Sequence, residues 1–385
     1  MDFKKLRMYL LQKQSLIEKT VKEEFMSVMK NQLALHSTDY LTPYLSLWAR
    51  VDDFDPKQLF HNISNEKSAI RMRAFRRTVF VVHRDNLEIL IGSIVQFLEP
   101  FKIGNIKYLI KNMGMEEGTT EKIGLDIIEI LKKKSPLSTR QIKKELSEKW
   151  EGDWIRSAIT LLEFDALIAR IGQRYIIDKT INWGLFEEYY PEVKRKEINP
   201  ENSLVAILSK YIQQFGPVCI DDFCWWLPTK KTMTKKLLEK LADEITEIDF
   251  NSKKYYMINE DFKAFTDFNL EAYELPIVNF LPYEDHYPKA YKHKEWYISE
   301  ETVTKLFKVG KMDWGQIRPS IWINGEIKGR WELDWVDKKK SEMKADIVYL
   351  DKKISQSTDI MIKINQLKTE VEIFANEKLI PLMKK

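Results

Sequence analysis

The chain has 385 residues, a net charge of +4 and 44% hydrophobic residues, a composition typical of a folded globular protein with room for several small domains. No apolar run reaches the roughly 20 residues of a membrane span, and the first residues lack a signal-peptide pattern. Two cysteines, Cys219 and Cys224, indicate no disulfide framework, so we expect a reducing cytoplasm.

The N-terminal part, residues 1–118, is predicted to be a helical unit of winged-helix type. An apolar face predicts a helix over residues 2–30. In the stretch NQLALHSTDYLTPYLSLWAR, which ends at Arg50, apolar residues at helical spacing predict a helix that begins near Pro43. A strand over residues 78–82 and a helix over residues 87–98 follow.

Two further units, residues 119–198 and 199–272, are predicted from a repeated order of three helices and a β-hairpin, which is the winged-helix order. In the first, Ser138 and Gln141 form a capping-box pattern, and the strands are expected at 166–171 and 175–177. Residues 183–197 are interpreted as a linker. The order recurs about 80 residues later, which indicates an internal repeat.

The last part, residues 273–385, has a β pattern and a closing helix over residues 359–382. Asn324-Gly325 between two apolar runs predicts a type I′ hairpin. The predicted fold class is therefore α+β, with tandem winged-helix units followed by a small C-terminal β-barrel-like domain.

Several motifs resemble those of the AlkZ-type DNA glycosylases, a winged-helix family that removes alkylated bases and unhooks some interstrand crosslinks. The family signature is L-Q-x-Q-[DE]-x-x-x-P-Y-L-S-L-W-A-R. Here Leu35, Asp39 and residues 43–50 match it, whereas His36 and Thr38 replace the two glutamines. The stretches YIQQFGPVCIDDFCWWLP, FLPYED and RMRAFRRT also resemble family motifs, with Glu284 replacing an aromatic residue in the second.

The resemblance implies hydrolysis of the N-glycosidic bond of an alkylated purine in double-stranded DNA by a monomeric, monofunctional enzyme without a cofactor. The family's glutamine pair is taken to position the attacking water. His36 can do this through a ring nitrogen and act as a general base, with Thr38 as a hydrogen-bonding group and Asp39 orienting the histidine. The predicted catalytic residues are thus His36, Thr38 and Asp39.

Other interpretations of the same residues remain open. His36 can be a polar loop residue, Thr38 can cap the following helix, and the loss of both glutamines fits a non-catalytic DNA-binding or regulatory protein. Basic residues are expected to contact DNA phosphates, although they can also form ion pairs or lie on a solvated surface. These are Arg50, Arg71, Arg73, Arg76, Arg77, Lys230 and Lys231. No metal site is predicted, because the two cysteines lack partners at zinc spacing.

Overall fold

The computed structural model describes residues 2–250, 252–307, 317–350 and 354–383. Helices and small antiparallel sheets alternate along the chain, so the predicted α+β class is confirmed. Contacts divide the chain into two units, one of residues 1–59 with 208–385 and one of residues 60–207. The division into four consecutive domains stays a prediction. Within the described residues no single helix meets the length and hydropathy of a membrane span, although one bent pair within 84–113 meets them together.

The first 61 residues form short helices around the signature stretch. They are α1 (Phe3–Lys13), α2 (Phe25–Asn31), β1 (Leu35–His36), α3 (Thr42–Trp48) and α4 (Pro56–His61). The predicted continuous helix over residues 2–30 is wrong, because the chain leaves α1 after Lys13 and Ser15 adopts a left-handed φ of 55°. The predicted start of a helix near Pro43 is confirmed, with proline in the first turn of α3.

The following segment is a β-hairpin and a long bent helix. These are β2 (Ala69–Arg73), β3 (Val79–His83) and α5 (Leu87–Met113). The strand predicted at 78–82 is confirmed as β3, and its partner β2 was missed because arginines alternate there with buried Ile70 and Met72. Helix α5 passes the predicted end at residue 98. It bends by 59° between its halves near Pro100, which has no N–H to bond the carbonyl four residues earlier.

Residues 119–189 form a three-helix group with a small sheet. Its elements are α6 (Thr119–Lys134), β4 (Leu137–Ser138), α7 (Thr139–Leu146), α8 (Gly152–Phe164), β5 (Ile168–Arg170), β6 (Asn182–Leu185) and α9 (Phe186–Tyr189), with strand order β4-β6-β5. The capping box of Ser138 and Gln141 is confirmed. The second strand lies later than predicted because Asp178 accepts a bond from the Thr180 N–H and turns the chain. Trp183, assigned to a linker, lies instead in β6 and is buried.

The same order recurs about 80 residues later. The elements are α10 (Pro200–Phe215), β7 (Val218–Cys219), α11 (Ile220–Trp226), α12 (Lys231–Glu239), β8 (Ile245–Phe250), β9 (Lys253–Ile258) and α13 (Asn259–Asp267), with strand order β7-β9-β8. A two-residue strand precedes the second helix in both copies. The internal repeat predicted from the sequence is therefore present at the level of secondary structure.

The C-terminal part is a four-stranded antiparallel sheet with flanking helices. Its elements are β10 (Val278–Leu281), α14 (His286–Lys289), α15 (Glu300–Phe307), β11 (Ser320–Ile323), β12 (Glu326–Trp335), β13 (Met343–Tyr349), α16 (Thr358–Ile373) and α17 (Ile380–Met383). The strands are ordered β10-β11-β12-β13. Asn324 and Gly325 have φ values of 50° and 78°, which confirms the type I′ turn. Closure of this sheet into a barrel stays a prediction.

Each unit has its own hydrophobic core. In the unit of residues 60–207, helices α6, α7 and α8 pack their apolar faces around Ile127, Ile142 and Ile155, all of which are fully buried. The other unit contains a group of aromatic rings in edge-to-face, tilted and stacked contacts. This group consists of Tyr287, Tyr291, Trp296, Tyr297 and Trp322.

Two positions of α6 test the assignment of its buried face. Ile127 is 0% exposed, whereas Leu125 in the same helix is 65% exposed. We expect Ile127→Ala to lower the free energy of unfolding by about 2–5 kcal/mol, because it leaves a cavity in a packed core. Leu125→Ala is the matched control and should change it by less than about 0.5 kcal/mol in urea denaturation. Equal losses for the two variants would contradict the assigned face.

Candidate active site

The three residues predicted to be catalytic lie at the end of β1 (His36) and in the turn that leads to α3 (Thr38 and Asp39). Their exposure differs, because His36 is buried whereas Thr38 and Asp39 are exposed. One carboxylate oxygen of Asp39 accepts bonds from the backbone N–H groups of Leu41 and Thr42, at 2.9 and 3.1 Å. Asp39 therefore caps the start of α3, where negative charge is favourable. The roles considered for Thr38, and the orientation of His36 by Asp39, stay predictions.

Arg50, just beyond α3, is held by a buried bidentate ion pair with Asp285. Its two terminal nitrogens lie 2.9 and 2.7 Å from the carboxylate oxygens, and both side chains are 0% exposed. Ser46 donates a further bond to the same carboxylate at 2.9 Å. The prediction that Arg50 contacts DNA is thus corrected, because its guanidinium has no solvent-accessible surface and is already paired.

This ion pair joins the signature helix to the segment after β10. Burial opposes ionisation of Asp285, but the positive charge of Arg50 outweighs it and lowers the carboxyl pKa to about 2. Thr42, in the first turn of α3, donates a second link to the carbonyl of Tyr283 at 3.0 Å. Helix α3 is therefore attached to residues 283–285 at both of its ends, and His36 lies just before it in the chain.

The imidazole of His36 lies against this second segment. Its ring is edge-on to the Tyr283 ring, with centroids 6.2 Å apart, and the residue is 7% exposed. Burial, and then the positive charge of Lys289, lower the His36 pKa to about 4. The ring is consequently neutral at pH 7, and one of its nitrogens has a lone pair that can accept a proton or a hydrogen bond.

Glu284 and Lys289 are neighbours of this site that the sequence analysis did not select. Their charged atoms are 2.6 Å apart, with only 7% and 19% of the side chains exposed. Glu284 has a left-handed φ of 55°, and its other carboxylate oxygen accepts a bond from the Ile317 N–H at 2.7 Å. In the sequence, Glu284 is distinguished by replacing the aromatic residue of the family motif in the stretch FLPYED.

The four predicted DNA-contacting arginines of residues 71–77 lie in the hairpin of β2 and β3, in the other unit. Arg71 and Arg73 are half-buried in β2, and Arg73 forms an ion pair with Glu163 at 3.1 Å. Arg76 and Arg77 occupy the turn and are exposed, with φ values of 50° and 65°. The ion-pair alternative therefore applies to Arg73, while the guanidinium of Arg77 lies 4.3 Å from the centre of the Phe101 ring. Contact of these arginines with DNA stays a prediction.

The two predicted lysines lie at the start of α12 and are exposed. Lys230 precedes the first residue of the helix, and Lys231 forms an ion pair with Asp221 at 2.5 Å. Their contact with DNA stays a prediction.

One group of side chains has the chemistry of a metal site among the residues that the structure describes. Cys219, Asp222 and His293 have their ligand atoms within 4.8 Å of one another. The sequence gives no signal for this group, because His293 follows Asp222 by 71 residues and no local spacing connects them.

The Arg50–Asp285 pair can be tested through stability. We expect Asp285→Ala to lower the free energy of unfolding by about 3–5 kcal/mol, because it leaves a buried guanidinium without its counter-ion. Urea denaturation measures this loss. The double variant Arg50→Met, Asp285→Leu should recover most of it, since two apolar side chains leave no buried charge.

A surface ion pair of the same unit is the control. Asp53 lies 2.7 Å from Lys378, and its side chain is 69% exposed. Its backbone has a left-handed φ of 41°, which asparagine tolerates better than alanine, so Asp53→Asn should leave the urea midpoint nearly unchanged. A loss below about 1 kcal/mol for Asp285→Ala, in the range of an exposed pair, would contradict a structural role for the buried pair.

The surroundings of His286 imply that the free energy of unfolding depends on pH. It is 6% exposed, and neither ring nitrogen has a hydrogen-bond partner within the described part of the chain. Burial, and then the charge of Arg50, lower its pKa to about 3. The unfolded chain therefore takes up a proton below about pH 6.5, while the folded protein stays neutral there. The free energy of unfolding should fall as pH decreases from about 6.5 towards 3.

The variant His286→Leu should reduce this slope in urea denaturation at a series of pH values. It should not abolish the slope, because His36 has a similarly lowered pKa. A slope equal to that of the unmodified protein would show that His286 is not held neutral.

Comparisons with known proteins show the fold and the family of the chain. No curated protein sequence matches the chain. The solved structure of the Streptomyces sahachiroi DNA glycosylase AlkZ has the same fold, with a TM-score of 0.72 at 15% sequence identity, covering 100% of this chain and 98% of that one. The family model "DNA glycosylase AlkZ-like" matches residues 29–344, which is more than half of the chain. The chain therefore belongs to the AlkZ-like family of DNA glycosylases.

Proposed function

We propose that this protein is a monofunctional DNA glycosylase that hydrolyses the N-glycosidic bond of an alkylated purine in double-stranded DNA. It works as a monomer in the cytoplasm, on nucleoid DNA, and the same reaction on a crosslinked purine would unhook the crosslink. The observation that carries the proposal is the placement of His36. Its neutral ring occupies the position of a family glutamine. The helix that follows it, α3, is attached to Tyr283 and to Asp285.

The reaction does not require strong general acid catalysis by the protein. An alkylated purine with a positive ring leaves as a neutral base, so the main requirements are a placed water and stabilisation of the sugar cation. A neutral imidazole can accept a hydrogen bond from that water and later its proton. With a pKa of about 4, His36 is a weak base, which suits positioning of the water more than strong activation.

DNA binding is assigned to both units of the chain. The two three-helix groups with their sheets are proposed to be winged helices, a fold that contacts duplex DNA through a helix and a hairpin. Arg76 and Arg77, in the exposed turn between β2 and β3, are proposed to bind phosphates. Lys230 and Lys231 at the start of α12 are proposed to do the same.

A second candidate function has its own support. His36 is only 7% exposed, and both family glutamines are replaced. A non-catalytic protein that binds or regulates at damaged DNA would have this combination of retained scaffold and lost polar pair. The two candidates differ in one observable, which is whether the base is released.

The test is a base-release assay on duplex DNA that contains 7-methylguanine, with alkali cleavage of the abasic product. We expect turnover by the unmodified protein and a loss of about 100-fold or more in His36→Ala. His61→Ala is the matched control, because His61 is an exposed histidine paired with Glu66. The rate should also fall as pH decreases through about 4, since protonated His36 can no longer accept a hydrogen bond from water.

Duplex binding measured in parallel separates the candidates. Binding without base release would support the non-catalytic function and overturn the enzymatic one. Equal turnover by the unmodified protein and His36→Ala would support a glycosylase in which His36 has no catalytic role.

A further inference from the structure

The start of α11 brings a thiol, a carboxylate and an imidazole together. Cys219 is the residue before α11, and its side chain accepts a bond from the backbone N–H of Asp222. Asp222 returns a carboxylate oxygen to the Cys219 N–H at 3.0 Å. Its other oxygen accepts from the N–H groups of Lys292 and His293, at 2.8 and 3.0 Å. Asp222 thereby holds the His293 segment beside the thiol.

His293 contributes a buried ring nitrogen to this group. Its Nε2 atom has no accessible surface and no hydrogen-bond partner within the described residues. The nearest acid on that side is an oxygen of Asp221 at 3.8 Å, too far for a hydrogen bond. Two atoms bound to one tetrahedral zinc ion are about 3.3–3.8 Å apart, given metal–ligand bonds of about 2.0–2.3 Å. The ligand atoms of Cys219, Asp222 and His293 lie within 4.8 Å of one another, so they must approach by up to about 1 Å to form such a shell.

We propose that Cys219 Sγ, Asp222 and His293 Nε2 bind a zinc ion, with water in the fourth position. Mixed sulfur, nitrogen and oxygen ligands of this kind favour zinc over magnesium or calcium. On binding, the thiol releases its proton to solvent and Sγ bonds the metal, with no change of oxidation state. The carboxylate of Asp221 can accept a hydrogen bond from the bound water.

A lysine on the far side of the ring opposes this binding. Lys253 Nζ is 3.2 Å from His293 Nδ1 and can donate to it, which leaves the ring proton on Nε2. Zinc requires the other tautomer, with the proton on Nδ1 and Lys253 turned away. Glu295, whose carboxylate is 3.7 Å from Nδ1, then becomes the acceptor. Replacing Lys253 with methionine should therefore tighten metal binding.

The proposed ion has a structural purpose. It would hold the start of α11 to the segment that follows α14. Helix α11 contains Trp225, and helix α14 ends at Lys289. The Lys289 ammonium already lies 5.6 Å from the centre of the Trp225 ring. Because Lys289 also lowers the pKa of His36, the ion would stabilise one wall of the candidate active site without touching the substrate.

Cobalt binding tests the site directly and does not depend on glycosylase activity. The metal-free full-length protein is titrated with Co²⁺, and the thiolate-to-cobalt charge-transfer absorbance is followed. We expect one equivalent to bind, with displacement by Zn²⁺. Cys219→Ser should abolish the charge-transfer band and His293→Gln should weaken binding by about 10-fold or more. Cys224→Ser is the matched control, because Cys224 is the other cysteine of the chain, and it should keep the band.

The outcomes are distinct. Absence of the band in the unmodified protein, its survival in Cys219→Ser, or its loss in Cys224→Ser would overturn the proposal. If Cys219→Ser does not fold, as judged by circular dichroism, His293→Gln and Lys253→Met decide the question. Unchanged cobalt affinity in His293→Gln would overturn the proposal, and tighter binding in Lys253→Met would support it.

Discussion

The buried ion pair of Arg50 and Asp285 is the interaction on which the candidate site depends. Two fully buried charges are tolerated when their geometry is good and further hydrogen bonds satisfy most of their polar atoms. Here both terminal nitrogens of the guanidinium meet both carboxylate oxygens, while its Nε has no hydrogen-bond partner among the described residues. The pair joins parts of the chain that are 235 residues apart. It thereby fixes α3 against the segment that follows β10. His36 lies just before α3 in the chain and contacts the same segment.

That segment supplies the electrostatic surroundings of the imidazole. The ring of Tyr283 makes an edge-on contact with the imidazole. Glu284 forms an ion pair with Lys289, and the lysine charge adds to burial in lowering the pKa of His36. The signature of the family that this chain resembles has a glutamine at this position, and the imidazole is likewise a neutral hydrogen-bonding group here. In the proposed reaction these neighbours matter as much as residue 36 itself, because they keep its ring neutral.

Local patterns predicted the local structure well. The start of α3 at its proline, the capping box of Ser138 and the turn of Asn324 and Gly325 are each encoded within a few residues, and all three were found. The family resemblance of the signature stretch was likewise visible in the sequence. Long-range pairings were not predictable in this way. The burial of Arg50, and the approach of His293 to Cys219 and Asp222, depend on tertiary contacts that have no local signature.

The most direct test of the account is the structure of the protein bound to duplex DNA that contains a cationic abasic-sugar analogue, which mimics the developing sugar cation. The account predicts that the Arg50–Asp285 pair is retained and that a His36 ring nitrogen lies within about 3.2 Å of a water beneath the analogue, or of the analogue itself. A complex in which the sugar binds elsewhere, with His36 still covered by Tyr283, would contradict it.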